Sequence, residues 1–106
     1  MTDRELLELA AKAAGIQFSE LGGGGARYAP QPGIMQPYVP WNPLTSSGDA
    51  LRLAVNLDIV PRVINGVAFA WRDGVCDIQE PHNGDPYAAT RRAIVLAAAA
   101  IGKEMP

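Results

Sequence analysis

Asp58-Ile59-Val60-Pro61-Arg62-Val63-Ile64-Asn65-Gly66-Val67-Ala68-Phe69-Ala70-Trp71-Arg72-Asp73-Gly74-Val75-Cys76-Asp77-Ile78-Gln79 decides the fold. Two dipeptides, Asn65-Gly66 and Asp73-Gly74, punctuate three runs rich in β-branched and aromatic residues. Asn-Gly and Asp-Gly are hairpin-turn pairs, because a type I′ turn needs positive φ at both central positions. The stretch predicts a three-stranded antiparallel meander over 58–64, 67–72 and 75–79. Two-residue turns also set a register. Ile64 then faces Val67 and Arg62 faces Phe69; Trp71 faces Cys76 and Phe69 faces Ile78. Val60, Ile64, Val67, Phe69, Trp71, Cys76 and Ile78 fall on one strongly apolar side, interrupted by Arg62. The other side, with Ile59, Pro61, Val63, Ala68, Ala70, Arg72, Val75, Asp77 and Gln79, is smaller and mixed. The reading rests on Phe69, Trp71 and Ile78 sharing one side of the ribbon.

Helices flank this meander. Thr2 and Glu5 form a capping-box pair ahead of Leu6, Leu9, Ala10, Ala13 and Ala14 at helical spacing. Gly15 and Ile16 supply a Schellman stop, so a helix is expected over 3–14. A second, over 46–57, is capped by Ser46 or Ser47 and carries Ala50, Leu51, Ala54, Val55 and Leu57. The third, over 86–101, has Asp85 as N-cap, Pro86 at its first position and Gly102 as its stop. Seven alanines between Tyr87 and Ile101 suit close packing. Residues 16–44 read poorly. Gly22 to Gly25 form a glycine run, and Pro30, Pro32, Pro37, Pro40 and Pro43 follow. Proline lacks the donor of a central strand, so only short extended pieces at 16–19, 26–29 and 37–41 are expected.

Strands joined by hairpins, with helices before and after, define an α+β class. The expected architecture is an antiparallel sheet packed between the α-helices, as three layers. A length of 106 residues and an apolar fraction of 48% suit one domain spanning 1–106.

The charge balance, nine basic against eleven acidic side chains, gives a net −2. Nucleic-acid binders draw affinity from a cationic surplus, so such a partner is disfavoured. One cysteine, Cys76, permits neither an intrachain disulfide nor a cysteine-based zinc site. The charged start, Thr2-Asp3-Arg4-Glu5, lacks a signal peptide's apolar stretch. The longest apolar run, Ala93 to Ile101, spans about 14 Å as a helix, well short of a bilayer core of about 30 Å. These features suit a cytoplasmic protein, and no cofactor is expected.

Chemistry-bearing residues concentrate in Asp77-Ile78-Gln79-Glu80-Pro81-His82-Asn83-Gly84-Asp85. A histidine among carboxylates can act as a base or hold a metal. Glu80, His82 and Asp85 are therefore the candidates for a small enzyme or metal-dependent site. The spacing matches no metal or hydrolase signature. The competing reading is a loop in which Asn83-Gly84 turns the chain and Asp85 caps the next helix. Arg91 and Arg92, with Arg72, are the candidates for contact with an anionic partner; solvated surface is the plainer reading. Gly22–Gly25 lacks the Lys-Ser/Thr and the strand-helix context of a phosphate loop. Cys76 has no cationic activator nearby in sequence and reads as an inert buried thiol. Ser19, Ser46 and Ser47 lack a Gly-x-Ser-x-Gly elbow. Tyr38, Trp41, Phe69, Trp71 and Tyr87 can line a pocket, and Trp41 reads as an anchor for the proline-rich region.

Two blocks carry a resemblance. They are Trp41-Asn42-Pro43-Leu44-Thr45-Ser46-Ser47-Gly48-Asp49-Ala50-Leu51-Arg52-Leu53-Ala54-Val55 and Glu80-Pro81-His82-Asn83-Gly84-Asp85-Pro86-Tyr87-Ala88-Ala89-Thr90-Arg91-Arg92-Ala93-Ile94-Val95. With the opening Glu5 to Gly15, they resemble small phage- and prophage-encoded proteins of the phage ABA sandwich type. The resemblance covers about two thirds of the chain. It implies a sheet between helices and an origin in a bacterial host. It implies no activity and no site residues. The chain departs from the pattern at 22–40, where its relatives carry ordinary strands. The leading expectation is a non-enzymatic accessory module that binds a protein. The alternatives are the Glu80, His82 and Asp85 enzyme, a nucleic-acid accessory, and an oligomerisation module using the mixed sheet face.

Overall fold

The computed structural model describes residues 2–16, 26–28 and 39–106. Along the chain run α1 (Asp3–Ala14), β1 (Ala26–Tyr28), β2 (Val39–Trp41), α2 (Ser47–Asn56), β3 (Val60–Ile64), β4 (Val67–Arg72), β5 (Cys76–Pro81) and α3 (Pro86–Lys103). Strands β3, β4 and β5 form an antiparallel meander, and β1 pairs with β2 as a separate antiparallel ribbon. The class is the expected α+β, with an antiparallel sheet packed against helices. The extended pieces at 26–29 and 37–41 correspond to β1 and β2. The piece at 16–19 and the glycine run lie almost wholly outside the described residues.

Local signals act as the sequence predicts. Glu5 N–H donates to Thr2 Oγ1 (3.2 Å), and the Thr2 hydroxyl donates to Glu5 Oε1 (3.2 Å). Gly15 ends α1 at φ 72°, with Ile16 N donating to the Ala11 carbonyl (2.8 Å) and Gly15 N to that of Lys12 (3.2 Å). That is a Schellman motif. Ser46 caps α2 by accepting from Asp49 N (3.2 Å). Trp41 is buried, as its anchoring reading requires.

The two hairpins part company. Asn65 (φ 49°) and Gly66 (φ 80°) both take positive φ, and the β3–β4 register is the expected one, with Ile64 on Val67 and Arg62 on Phe69. In the second turn only Gly74 (φ 74°) does so, while Asp73 is not among the positive-φ residues. Val75 N closes the turn onto the Arg72 carbonyl (2.9 Å), and the loop becomes three residues long. Cys76 therefore faces Arg72, Ile78 faces Ala70 and Gln79 faces Phe69. The expected Trp71–Cys76 and Phe69–Ile78 pairs are corrected by one residue. Side chains alternate along a strand, so a one-residue slip moves all of β5 to the other side. Phe69 and Trp71 lie on one face, and Cys76, Ile78 and Glu80 lie on the opposite one.

The buried face is also not the expected one. Ala68 and Ala70 are 0% exposed, whereas Phe69 and Trp71 are only half-buried and Val60 and Ile64 are exposed. Helix α3 packs on all three strands of the meander, and α1 and α2 pack principally on α3. Among the described residues α3 is the one helix in extensive contact with this sheet. The mixed face is thus core, and it is closed to the interface role expected of it. The physical reason is reach. The loop after β5 returns the chain over the alanine side, and small side chains there let a helix approach closely. The core's volume comes instead from Leu6, Leu7, Leu53, Ile59, Ile94 and Val95.

Helix α3 runs two residues past its expected end. Gly102 lies inside it, buried, and does not take positive φ. A Cβ there would collide with the carbonyl of Leu9 in α1. Gly102 is a close-approach residue and not a helix stop.

Candidate functional site

The loop from β5 to α3 holds the first group of candidates. Gly84 (φ 93°) and Asn83 (φ 35°) make the expected turn. Asp85 Oδ1 accepts from Ala88 N (3.0 Å), so its carboxylate is the α3 N-cap. His82 N donates to the Gly66 carbonyl (3.1 Å), tying the loop to the first hairpin turn. Among the described residues its buried Nδ1 has no hydrogen-bond partner. Glu80 Oε1 lies 3.7 Å from Arg92 Nε. No hydrogen bond or ion pair joins the side chains of Glu80, His82 and Asp85 among the described residues. Nor does any group of three His, Cys, Asp or Glu among those residues suit a metal ion. A general base needs hydrogen-bond reach to a partner or substrate. Here each carboxylate already serves the fold. Asp85→Ala should cost about 1 kcal/mol, the worth of an N-cap, and lower Tm by about 4–8 °C. A thermal melt followed by circular dichroism checks this; an unchanged Tm would show that the cap contributes nothing.

Arg92 and Arg91 diverge. Arg92 Nη1 reaches Asp3 Oδ1 (3.1 Å), so with Glu80 it ties α3 to α1 and β5. Its side chain is 39% exposed, and such pairs contribute about 1 kcal/mol or less. Arg91 turns to α2. Its Nε donates to the Leu44 carbonyl (3.0 Å) and its Nη1 to Ser47 Oγ (3.1 Å). The two guanidinium groups therefore do not form one cationic patch. Beside them, buried Asp49 accepts from Asn42 N (2.9 Å) and Arg52 Nη2 (2.7 Å), locking the turn into α2.

The open face of the meander, expected as core, carries two of the residues read as able to line a pocket, Phe69 and Trp71. Phe69 and Trp71 of β4, Asp77 and Gln79 of β5 and the Asp73-Gly74 turn line a hollow of about 440 Å³. Val60 (45% exposed) and Ile64 (36%) lie on the same face along β3, with Arg62 between them. Cys76 points to the opposite, core side of β5, where it is half-buried. Burial pushes its thiol up from the ordinary value, against smaller downward pulls from a backbone hydrogen bond at Arg72 and that residue's charge, with Asp77 adding a small rise.

The arrangement defines a class: an α+β protein with a three-stranded open meander, one helix-covered face and no assembled catalytic group among its described residues. No family model, no curated protein and no solved structure matches the chain. No described helix is long and apolar enough to cross a membrane.

Proposed function

We propose that this chain is a phage- or prophage-derived accessory protein that binds another protein in the bacterial cytoplasm, without catalysis of its own. One observation carries the reading: Val60, Ile64, Phe69 and Trp71 share a face of the meander that lies outside the helix-covered core. Half-buried aromatics ringed by Arg62, Asp77 and Gln79 have the make-up of an interface, with an apolar centre and a polar rim. Contiguous exposed apolar surface on a soluble chain marks an interaction site. The resemblance to phage ABA sandwich proteins supports the origin and adds nothing on chemistry.

The test is affinity capture from bacterial lysate with the wild-type chain and with a Val60→Asp, Ile64→Asp variant. Both positions are exposed, so the variant keeps its fold. A discrete partner should be enriched by the wild type and weakened about 30-fold by the variant, an interface hot spot being worth about 2 kcal/mol. Identical captures would refute the assignment of this face.

A further inference from the structure

Strand β5 ends the meander on one side, and its backbone register fixes which groups face outward. Across the two-residue Asn65-Gly66 turn the closing pair, Ile64 and Val67, is hydrogen-bonded, and bonded and non-bonded pairs then alternate. Val67, Phe69 and Trp71 therefore turn their backbone groups to β3, while Ala68, Ala70 and Arg72 turn theirs to β5. Opposite them Cys76, Ile78 and Glu80 are engaged, so Asp77 and Gln79 aim both N–H and C=O away from the sheet. Among the described residues no backbone bond uses those four groups. The other end strand is blunted: by the same count Pro61 holds an outward position of β3, and proline has no N–H.

An apolar strip underlies the β5 edge. Arg92 reaches Glu80 (3.7 Å), which marks the flank of α3 that lies beside β5. Leu96, one turn on, shares that flank about 6 Å along the axis, roughly the span of two strand residues. Because α3 runs back along β5, Leu96 comes level with Ile78. Leu96 also borders a groove of about 190 Å³ against Leu6 and Leu9 of α1. Leu9, Ile78 and Leu96 are only partly buried.

We propose that the β5 edge pairs antiparallel with the same edge of a second copy of this chain, about a two-fold axis at Ile78, joining two meanders into one sheet. Two free N–H and two free C=O groups in one extended line are matched by another strand's edge and by no compact ligand. The strand is self-complementary about Ile78. The two-fold sets Asp77 against Gln79 of the second copy, a carboxylate acceptor against an amide donor, and does so twice. It also brings Ile78 onto its twin with Leu96 beneath, so the half-buried strip is covered by its own copy. Pro61 leaves the far edge unable to repeat the pairing, and the assembly closes at two copies. The Phe69 and Trp71 face stays open on the joined sheet, so the proposal does not rest on that reading.

Sedimentation velocity of the full chain tests it over about 1–100 μM, since a dimer dissociates on dilution. The mass should rise from 11.2 kDa toward twice that value. Gln79→Pro removes an outward N–H that the monomer does not use, as Pro61 does on β3. It should weaken the dimer about 30-fold or more with an unchanged circular dichroism spectrum. Charge tests the register without touching the backbone. Gln79→Asp sets carboxylate against carboxylate and should weaken the dimer about tenfold, whereas Gln79→Lys meets Asp77 and should keep or tighten it. If the proline disturbs the strand, this pair of exposed substitutions decides alone. The Val60→Asp, Ile64→Asp variant should dimerise as the wild type does, which separates this result from failure of the sheet face. A single 11.2 kDa species at every concentration, an undiminished dimer in a folded Gln79→Pro, or equal effects of the Asp and Lys substitutions would each overturn the proposal.

Discussion

Gly102→Ala should destabilise the protein by about 2 kcal/mol or more and lower Tm by roughly 10 °C, although helix propensity alone favours alanine by about 1 kcal/mol. The reversal of sign comes from one contact. A Cβ at Gly102 would strike the Leu9 carbonyl and lie 2.9 Å from its carbon. Both atoms are backbone, so no side chain can rotate away, and α1 and α3 would have to separate. That separation would loosen Leu6, Ala10 and Ala11 of α1 and Ala98 and Ala99 of α3, all buried. A thermal melt and urea titration of the two proteins give the answer. A rise in Tm would show that α1 and α3 do not approach at this point.

The second large effect concerns which face of the meander is core. Ala70→Asp should leave the chain unfolded or molten at 25 °C. An unpaired carboxylate at a position that is 0% exposed costs about 3–5 kcal/mol, much of the total stability of a small domain. Ile64→Asp, at a position 36% exposed, should cost about 1 kcal/mol or less. Apolarity alone ranks them the other way, since isoleucine looks like the core residue and alanine like a spacer. Urea denaturation with matched amide-proton NMR spectra distinguishes the rankings. If Ile64→Asp unfolds the chain and Ala70→Asp does not, the core lies on the Phe69 side and the proposed interface disappears.

Both predictions also mark where sequence reading stopped. The Thr2 and Glu5 cap, the Gly15 and Ile16 stop, the Ser46 cap and the Asp85-Pro86 start are short-range signals, and each operates as written. The Asn65-Gly66 turn did too, because the chemistry of two adjacent residues suffices for it. The Asp73-Gly74 turn did not. Asp73 does not take positive φ, Val75 joins the loop, and the resulting slip exchanges the faces of β5. For the candidate site, Asp85 as a cap was legible from the Asn83-Gly84-Asp85-Pro86 order. The buried Nδ1 of His82 and the pairing of Arg92 with Asp3, 89 residues away, were not.

From its order of residues alone, this protein has three helices with specified starts, a meander between the second and third, and one correctly registered hairpin. Those features depend on contacts within a few residues, where propensity, capping and turn geometry act directly. The tertiary structure decided which sheet face is buried, what Gly102 is for, and that Arg91 turns to Leu44 and Ser47 of the α2 start. Each of these depends on where α3 lands, and α3 is placed by long-range packing against α1, α2 and the sheet at once. Hydrophobic burial is non-directional, so an apolar stripe states that a face prefers cover but not which helix reaches it first.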